Sequence, residues 1–165
     1  MACRGLLIAV DDEEVAALRA RETHEARVEH LINNLEEVHF GSDRACETDK
    51  AWDAIHRAFD GASQLNYDAS KPLKLVVLGG EPLHSEADYI IVLKTPQQVR
   101  AAAEALDVID EEAFRIAYFG IDPEQYGMSL DEQDFGYSWG WLQDIKAFYK
   151  RTAATPHSIL FSVDQ

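Results

Sequence analysis

The sequence predicts a single α+β domain with a mainly helical body and a small sheet. Three observations lead to this prediction. The chain has 165 residues, which is the length of one domain. Short apolar runs typical of strands occur near its beginning, middle and end, and apolar residues at helical spacing fill the segments between them. The strands are too few and the helices too unevenly spaced for a doubly wound parallel sheet.

Three segments are predicted to form the sheet, one from each part of the chain. They are residues 4–10, 89–93 and 157–163. In the last segment Ile159, Phe161 and Val163 alternate onto one face, as in a half-buried strand. Residues 72–80 are ambiguous, because their β-branched residues favour a strand, whereas a proline at the start and glycines at the end favour a short helix.

Helical periodicity and capping residues locate the helices. They are predicted within residues 11–35 (two helices or one bent helix), 51–60, 96–106, 111–118 and 134–154, with a short turn at Pro123. Expected caps are Asp11 or Asp12, Thr48 or Asp49, Thr95 and Asp110. Residues 37–47 contain turn-forming residues and are predicted to be a connector.

The charge balance limits the classes of partner. Thirty acidic and fifteen basic residues give a formal net charge of −15, and no basic stripe is present. Nucleic acids and anionic membranes would be repelled, because binding to them depends on neutralising phosphate charge. A basic protein would be attracted and its association accelerated. The alternative is that the acidity only keeps the protein soluble.

Cysteine content and hydropathy predict the compartment. Cys3 and Cys46 do not form a disulfide framework. The early apolar run at residues 6–10 is too short for a signal peptide, and no run reaches the length of a membrane span. We therefore expect a cytoplasmic protein with free thiols.

One helix carries the first candidate site. Trp52 and His56 lie at i and i+4, so their rings can touch, and a histidine at a pocket edge could act as an acid, a base or a ligand donor. The alternative is a core tryptophan beside a histidine with a local hydrogen bond. Asp49, just before this pair, is interpreted as a helix cap and is kept with the binding candidates.

A second candidate lies on the last helix. Relative to Ile145, the predicted centre of the buried face, Trp139 falls about 120° away and so lies on a flank. A partly exposed tryptophan is typical of an interaction hot spot. The alternative, that Trp139 packs beneath the irregular segment 120–133, is equally compatible with the pattern.

No metal site or cofactor is predicted. His24 and His30 are six residues apart, which turns them to different faces of a helix, whereas a two-histidine zinc motif requires a spacing of four. No cluster of four ligands has zinc spacing, so folding is expected to need no metal.

Three blocks together resemble the bacterial YfbM-like family of uncharacterised proteins. They are residues 49–56 (Asp-Lys-Ala-Trp-Asp-Ala-Ile-His), 72–80, and 145–151 followed by a loop and a terminal strand. The first block is the most specific, and the sequence departs from the family pattern between Tyr126 and Trp141. The resemblance implies an α+β fold with a helical body and no known catalytic residues. Because family members are often found near toxin genes, it also implies an immunity or interaction role.

The sequence therefore predicts a non-catalytic protein-binding module, of an immunity type, for a basic partner. The alternative is a small-molecule-binding protein or hydrolase with its pocket at Trp52 and His56.

Overall fold

A five-stranded antiparallel sheet forms the centre of the protein in the computed structural model, which describes residues 4–61, 64–85 and 89–164. Its strands are β1 (Gly5–Val10), β2 (Ala45–Asp49), β3 (Glu81–His84), β4 (Tyr89–Lys94) and β5 (Ser158–Asp164). Their order across the sheet is β2-β1-β5-β4-β3. The terminal strands β1 and β5 are neighbours at the centre, and β2 and β3 form the two edges.

Helices connect the strands. They are α1 (Asp12–Arg19), α2 (His24–Leu31), α3 (Glu37–His39), α4 (Ala51–Asp60), α5 (Pro96–Asp107), α6 (Glu111–Phe119), α7 (Pro123–Tyr126) and α8 (Glu132–Ala153). A π-helical turn (Ile32–Glu36) joins α2 to α3, and a 3₁₀ helix (Pro72–Val76) precedes β3. Within the described residues, none of the helices is long and apolar enough to cross a membrane.

The sheet separates two apolar cores, because alternate residues of its strands point to opposite faces. On one face Leu7 and Phe161 pack with the residues of α4 to α8. On the other face Leu6 and Ile8 pack with Leu18, Leu31 and Leu35 from the N-terminal helices. The sheet therefore lies between a large helical layer and a small one.

Much of the predicted structure is confirmed. The α+β class and the three predicted strands are observed, and Ile159, Phe161 and Val163 share the larger core. Capping boxes begin α1 and α5, at Asp11 and Thr95 respectively, because each cap exchanges hydrogen bonds with the third helical residue.

Two strands were not predicted, and both are edge strands. Residues 45–49, placed within and just after the predicted connector, form β2, and residues 81–84 form β3. Edge strands carry polar residues and tolerate proline, which removes the apolar alternation that marks a strand. Here β2 contains Glu47, Thr48 and Asp49, and β3 contains Pro82.

Two local predictions change with the structure. The prediction that Thr48 or Asp49 caps α4 is wrong: Lys50 holds the N-cap position without a side-chain cap bond, while Asp49 ends β2 with φ of 43°. The ambiguous segment 72–80 begins as a 3₁₀ helix, so its starting proline was the informative residue.

Candidate functional site

The sequence-predicted pair Trp52 and His56 lies in the larger core. Trp52 is 3% exposed, and its ring centre is 5.7 Å from that of Phe161 on β5. His56 is 2% exposed, and neither ring nitrogen has a hydrogen-bond partner in the described structure. The burial of Trp52 agrees with the alternative interpretation of this residue as a core tryptophan. His56, in contrast, lacks the local hydrogen bond that this interpretation expected for a core histidine.

A second buried ionisable group accompanies His56. Lys94 at the end of β4 is fully buried, donates from Nζ to the carbonyl oxygen of Val77, and lies 5.5 Å from the ring centre of Phe161. Burial holds the pKa of Lys94 well below its usual range. Burial, opposed by nearby Asp60 and assisted by Lys94, lowers the pKa of His56 to about 4. The His56 ring is therefore neutral at physiological pH.

The Asp49 side chain, at the end of β2, contacts residues outside that strand. Its Oδ2 accepts a hydrogen bond of 2.8 Å from the hydroxyl of Tyr137 on α8. Its Oδ1 lies 3.4 Å from Nε of Arg4, an exposed pair of low energetic value. Asp49 is near Trp52 and His56 in sequence, and its side-chain contacts in the structure are with Tyr137 and Arg4.

Trp139 is partly buried on the flank of α8, as the helical wheel predicted. Its ring stacks on Phe114 of α6 with the centres 5.8 Å apart, and Nζ of Lys146 lies 5.9 Å from the ring centre. The side chain belongs to the margin of the larger core. Its role in binding stays a prediction.

A groove of about 500 Å³ lies over the smaller core, at the end of the sheet where β1 begins and β5 ends. It is lined by Arg4, Gly5, Leu6, Ile32, Glu36, Glu37, Phe40, Glu47, Tyr89 and Asp164. Four carboxylates and one guanidinium give it negative character, and apolar surface lies between them. This groove, called the Glu36 groove below, is the candidate functional site.

Strand register determines which side chains form the groove floor. Leu6 of β1 is paired with Glu47 of β2 on one side and with Ser162 of β5 on the other. Tyr89 of β4 is paired with Asp164 of β5, two residues after Ser162. Residues paired or two apart share a face. The polar side chains of the floor therefore come from three strands that are remote in sequence.

The π-helical turn supplies the facing wall and aims Glu36 at the sheet. The backbone N–H of Glu37 donates to the carbonyl of Ile32, five residues earlier, which is the π-helical pattern. Glu36 is the last residue of this turn, and its carboxylate contacts the hydroxyls of Tyr89 on β4 and Ser162 on β5. The carboxylate therefore lies on the sheet-facing side of the turn.

Two hydroxyl donors fix the Glu36 carboxylate. The Tyr89 hydroxyl is 3.0 Å from Oε1 and 3.1 Å from Oε2, and the Ser162 hydroxyl donates to Oε1 at 2.6 Å. Burial, with added repulsion from Glu36, raises the pKa of Tyr89, so its hydroxyl stays protonated and remains a donor. These bonds satisfy and orient a partly buried carboxylate.

The groove rim combines charge with exposed apolar surface. Phe40, which follows α3, is 60% exposed and lines the groove. Glu37 and Glu47 are exposed on opposite sides, one on the helical wall and one on β2. An exposed aromatic ring between carboxylates can contact both the apolar stem and the charged end of a basic side chain.

Sequence reasoning missed this site. Glu36 follows directly on the apolar residue Leu35, and a charged residue at the end of an apolar stripe gives no sign that it bonds to the sheet. Ser162 was the available signal, because it is a polar residue within an otherwise apolar terminal strand. Its partner could not be inferred, since Ser162 and Glu36 are 126 residues apart.

Comparison with known proteins identifies a matching family and a solved structure of similar fold. The family model described as "Domain of unknown function (DUF1877)" matches residues 1–162. A crystal structure of YfbM from Escherichia coli, a protein of unknown function, is similar with a TM-score of 0.67 and 20% identity, covering 97% of this chain and 99% of that chain. No curated protein matches the chain. The resemblance predicted from three sequence blocks is confirmed.

Proposed function

The chain belongs to the DUF1877 family, and we propose that it is a non-catalytic module that binds a basic protein through the Glu36 groove. The observation that carries this proposal is the groove itself, which combines four carboxylates with apolar surface in about 500 Å³. The favoured form is an immunity-type pairing in the cytoplasm, in which the acidic chain neutralises a basic partner.

Charge complementarity supports a basic partner. The groove has more acidic than basic residues, as does the whole chain, which has a formal net charge of −15. Long-range attraction speeds the encounter, and a complementary groove then sets the register of the complex. Among the described residues of the lining, Arg4 is the only basic one, and its side chain is 78% exposed, so it competes weakly with an incoming cation.

Preorganisation supports binding as well. The groove floor is a hydrogen-bonded sheet, and the Glu36 carboxylate is already fixed by Tyr89 and Ser162. Little side-chain freedom remains to be lost on association at this position, which lowers the cost of binding. Phe40 supplies an exposed aromatic contact of the kind that holds interfaces together.

The chemistry of the described side chains favours binding over catalysis. The Tyr89 and Ser162 hydroxyls already engage the Glu36 carboxylate and hold it in one orientation. Burial raises the pKa of the Cys46 thiol to about 12, so this thiol is a poor nucleophile. The alternative pocket at Trp52 and His56 would require the core to open, since both side chains are buried.

The proposal is tested with a basic protein identified by co-purification from the native cell. The groove variant Glu37→Gln/Glu47→Gln removes two exposed carboxylates from the lining. The matched control Glu104→Gln/Glu124→Gln removes two exposed carboxylates elsewhere. We expect surface plasmon resonance to give a dissociation constant at least roughly tenfold higher for the groove variant, and a much smaller change for the control.

Equal weakening of both variants would mean that only net charge matters, and the groove assignment would be wrong. Trp139→Ala, measured in parallel, tests the tryptophan predicted from the helical wheel. Faster dissociation in Trp139→Ala with an unchanged groove variant would move the binding surface to the flank of α8.

A further inference from the structure

Two histidines that are 60 residues apart meet at the edge of the sheet. Nδ1 of His24, the first residue of α2, lies 3.0 Å from Nδ1 of His84, the last residue of β3. The ring centres are 4.8 Å apart, and the ring planes are inclined by 69°. We propose that this pair is a two-histidine chelate site for a divalent transition metal ion, Cu²⁺ or Ni²⁺.

The surrounding structure holds the two rings in place. Nη1 of Arg27 donates to the carbonyl of Leu83 at 2.6 Å, and Nη2 donates to the carbonyl of Arg21 at 2.9 Å. One guanidinium therefore ties the residue before His84 to the loop before α2. The ion pair between Arg19 of α1 and Glu81 of β3, at 2.6 Å, joins the same two regions. His84 is buried, whereas His24 is exposed and gives an ion access.

The separation of the two nitrogens is compatible with a tetragonal ion. With metal–nitrogen bonds of about 2.0–2.1 Å, nitrogens 3.0 Å apart subtend about 91–97° at the metal. This is close to the right angle between neighbouring ligands of a square-planar or octahedral ion. A tetrahedral zinc ion needs about 109°, which at the same bond lengths requires roughly 3.3–3.4 Å. Imidazole nitrogens and tetragonal geometry suit Cu²⁺ and Ni²⁺.

The protonation state of the rings is compatible with chelation. In a hydrogen bond between two neutral imidazoles, one Nδ1 carries the proton and the other offers its lone pair. Chelation requires the donor ring to move that proton to its own Nε2, which leaves both Nδ1 lone pairs on the metal and the total protonation unchanged.

The described residues supply two ligands to the proposed site. Among the described residues there is no group of three or more side chains suited to hold a metal ion. Water or an external ligand would complete the coordination, so the ion is exchangeable and is not needed for folding. The sequence spacing of His24 and His30 argues against a metal site formed by that pair. In the fold, His24 instead lies beside His84 of β3.

The test uses the full chain without a histidine tag, freed of metal with chelator. Isothermal titration with Cu²⁺, Ni²⁺ and Zn²⁺ should show one equivalent bound, with affinity in the order Cu²⁺, Ni²⁺, Zn²⁺. His24→Ala changes an exposed side chain and should weaken Cu²⁺ and Ni²⁺ binding at least tenfold. The control His30→Ala lies on the same helix, and its ring bonds Arg21, so it should bind as the parent does.

Electron paramagnetic resonance of the Cu²⁺ complex gives an independent result that needs no variant of the buried His84. Hyperfine coupling to two imidazole nitrogens is expected. The proposed site would be overturned if the spectrum showed coupling to only one nitrogen, or if binding did not saturate. It would also be overturned if His24→Ala bound Cu²⁺ as tightly as the parent, or if Zn²⁺ bound more tightly than Cu²⁺.

Discussion

The hydroxyl of Tyr89 bridges both carboxylate oxygens of Glu36, at 3.0 and 3.1 Å, and so joins the first residue of β4 to the π-turn on the opposite wall of the groove. The two residues are 53 positions apart. Ser162 donates to the same carboxylate from β5. The small helical layer is therefore held to the sheet by polar contacts at the groove and by apolar contacts beneath it.

The first prediction concerns this network. Tyr89→Phe removes one donor, and Ser162→Ala removes the other, so each should lower the free energy of unfolding by about 1.5–3 kcal/mol, as for hydrogen bonds to a charged group. The double variant should lose more than the sum of the two, because it leaves a partly buried carboxylate without either donor. Urea unfolding of the four proteins provides the cycle. Strict additivity would show that Glu36 does not couple the two hydroxyl groups.

The elements predicted from the sequence are those with strong local signals. Asp11, Thr95 and Asp110 cap helices as predicted, because a cap is decided by residues three positions apart. The terminal strand was recognised by its alternation. In contrast, the sequence does not predict β2 and β3, which are edge strands. An edge strand forms by hydrogen bonding to the free backbone groups of the strand beside it, so its own side chains carry little signal.

The candidate site could not be predicted, because its groups become adjacent only through the fold. Glu36 lies in a π-turn, and its bonds to two strands depend on how that turn packs on the sheet. Tyr89 and Ser162 meet it through strand register. The same applies to Lys94, a lysine at the end of an apolar strand that a sequence pattern would place at the surface and the structure buries.

The second prediction is that Trp52 is structural. Trp52 is 3% exposed and packs on Phe161, so Trp52→Ala should lower the free energy of unfolding by about 3–5 kcal/mol. Trp139→Ala is the matched control, since this tryptophan is only partly buried and should cost clearly less. Thermal unfolding followed by circular dichroism measures both. A Trp52→Ala protein that melts within a degree or two of the parent would contradict its place in the core.

The third prediction is that Lys94 reduces stability. Its amine is fully buried, and its acceptor among the described residues is the carbonyl oxygen of Val77. The other hydrogen-bonding positions of the amine have lost contact with water and gained no partner there, which costs free energy. Lys94→Met keeps the length of the side chain and should raise the free energy of unfolding by about 1–3 kcal/mol. The control Lys150→Met removes an exposed lysine and should change stability by less than about 1 kcal/mol. A destabilised Lys94→Met protein would mean that the bond to Val77 outweighs the burial cost.

The fourth prediction concerns acid stability and rests on His56. Burial lowers its pKa from 6.5 to about 4, so the folded state favours the neutral ring. Above pH 6.5 the ring is neutral in both states and makes no pH-dependent contribution. As the pH falls from 6.5 to 4, the unfolded chain takes up a proton that the folded protein does not, so stability decreases and then levels off below pH 4. The full decrease is about 3 kcal/mol, at 1.36 kcal/mol for each pKa unit.

His56→Gln removes this titration and serves as the reference for it. Carboxylates also titrate in this range, so the informative quantity is the difference between parent and variant in unfolding free energy, measured with urea from pH 7.5 to pH 4. We expect the difference to change by about 3 kcal/mol across that range, in the direction of a relatively less stable parent at low pH. Parallel curves would show that the ring is solvated and titrates normally, and His56 would then be open to a ligand, as the alternative function requires.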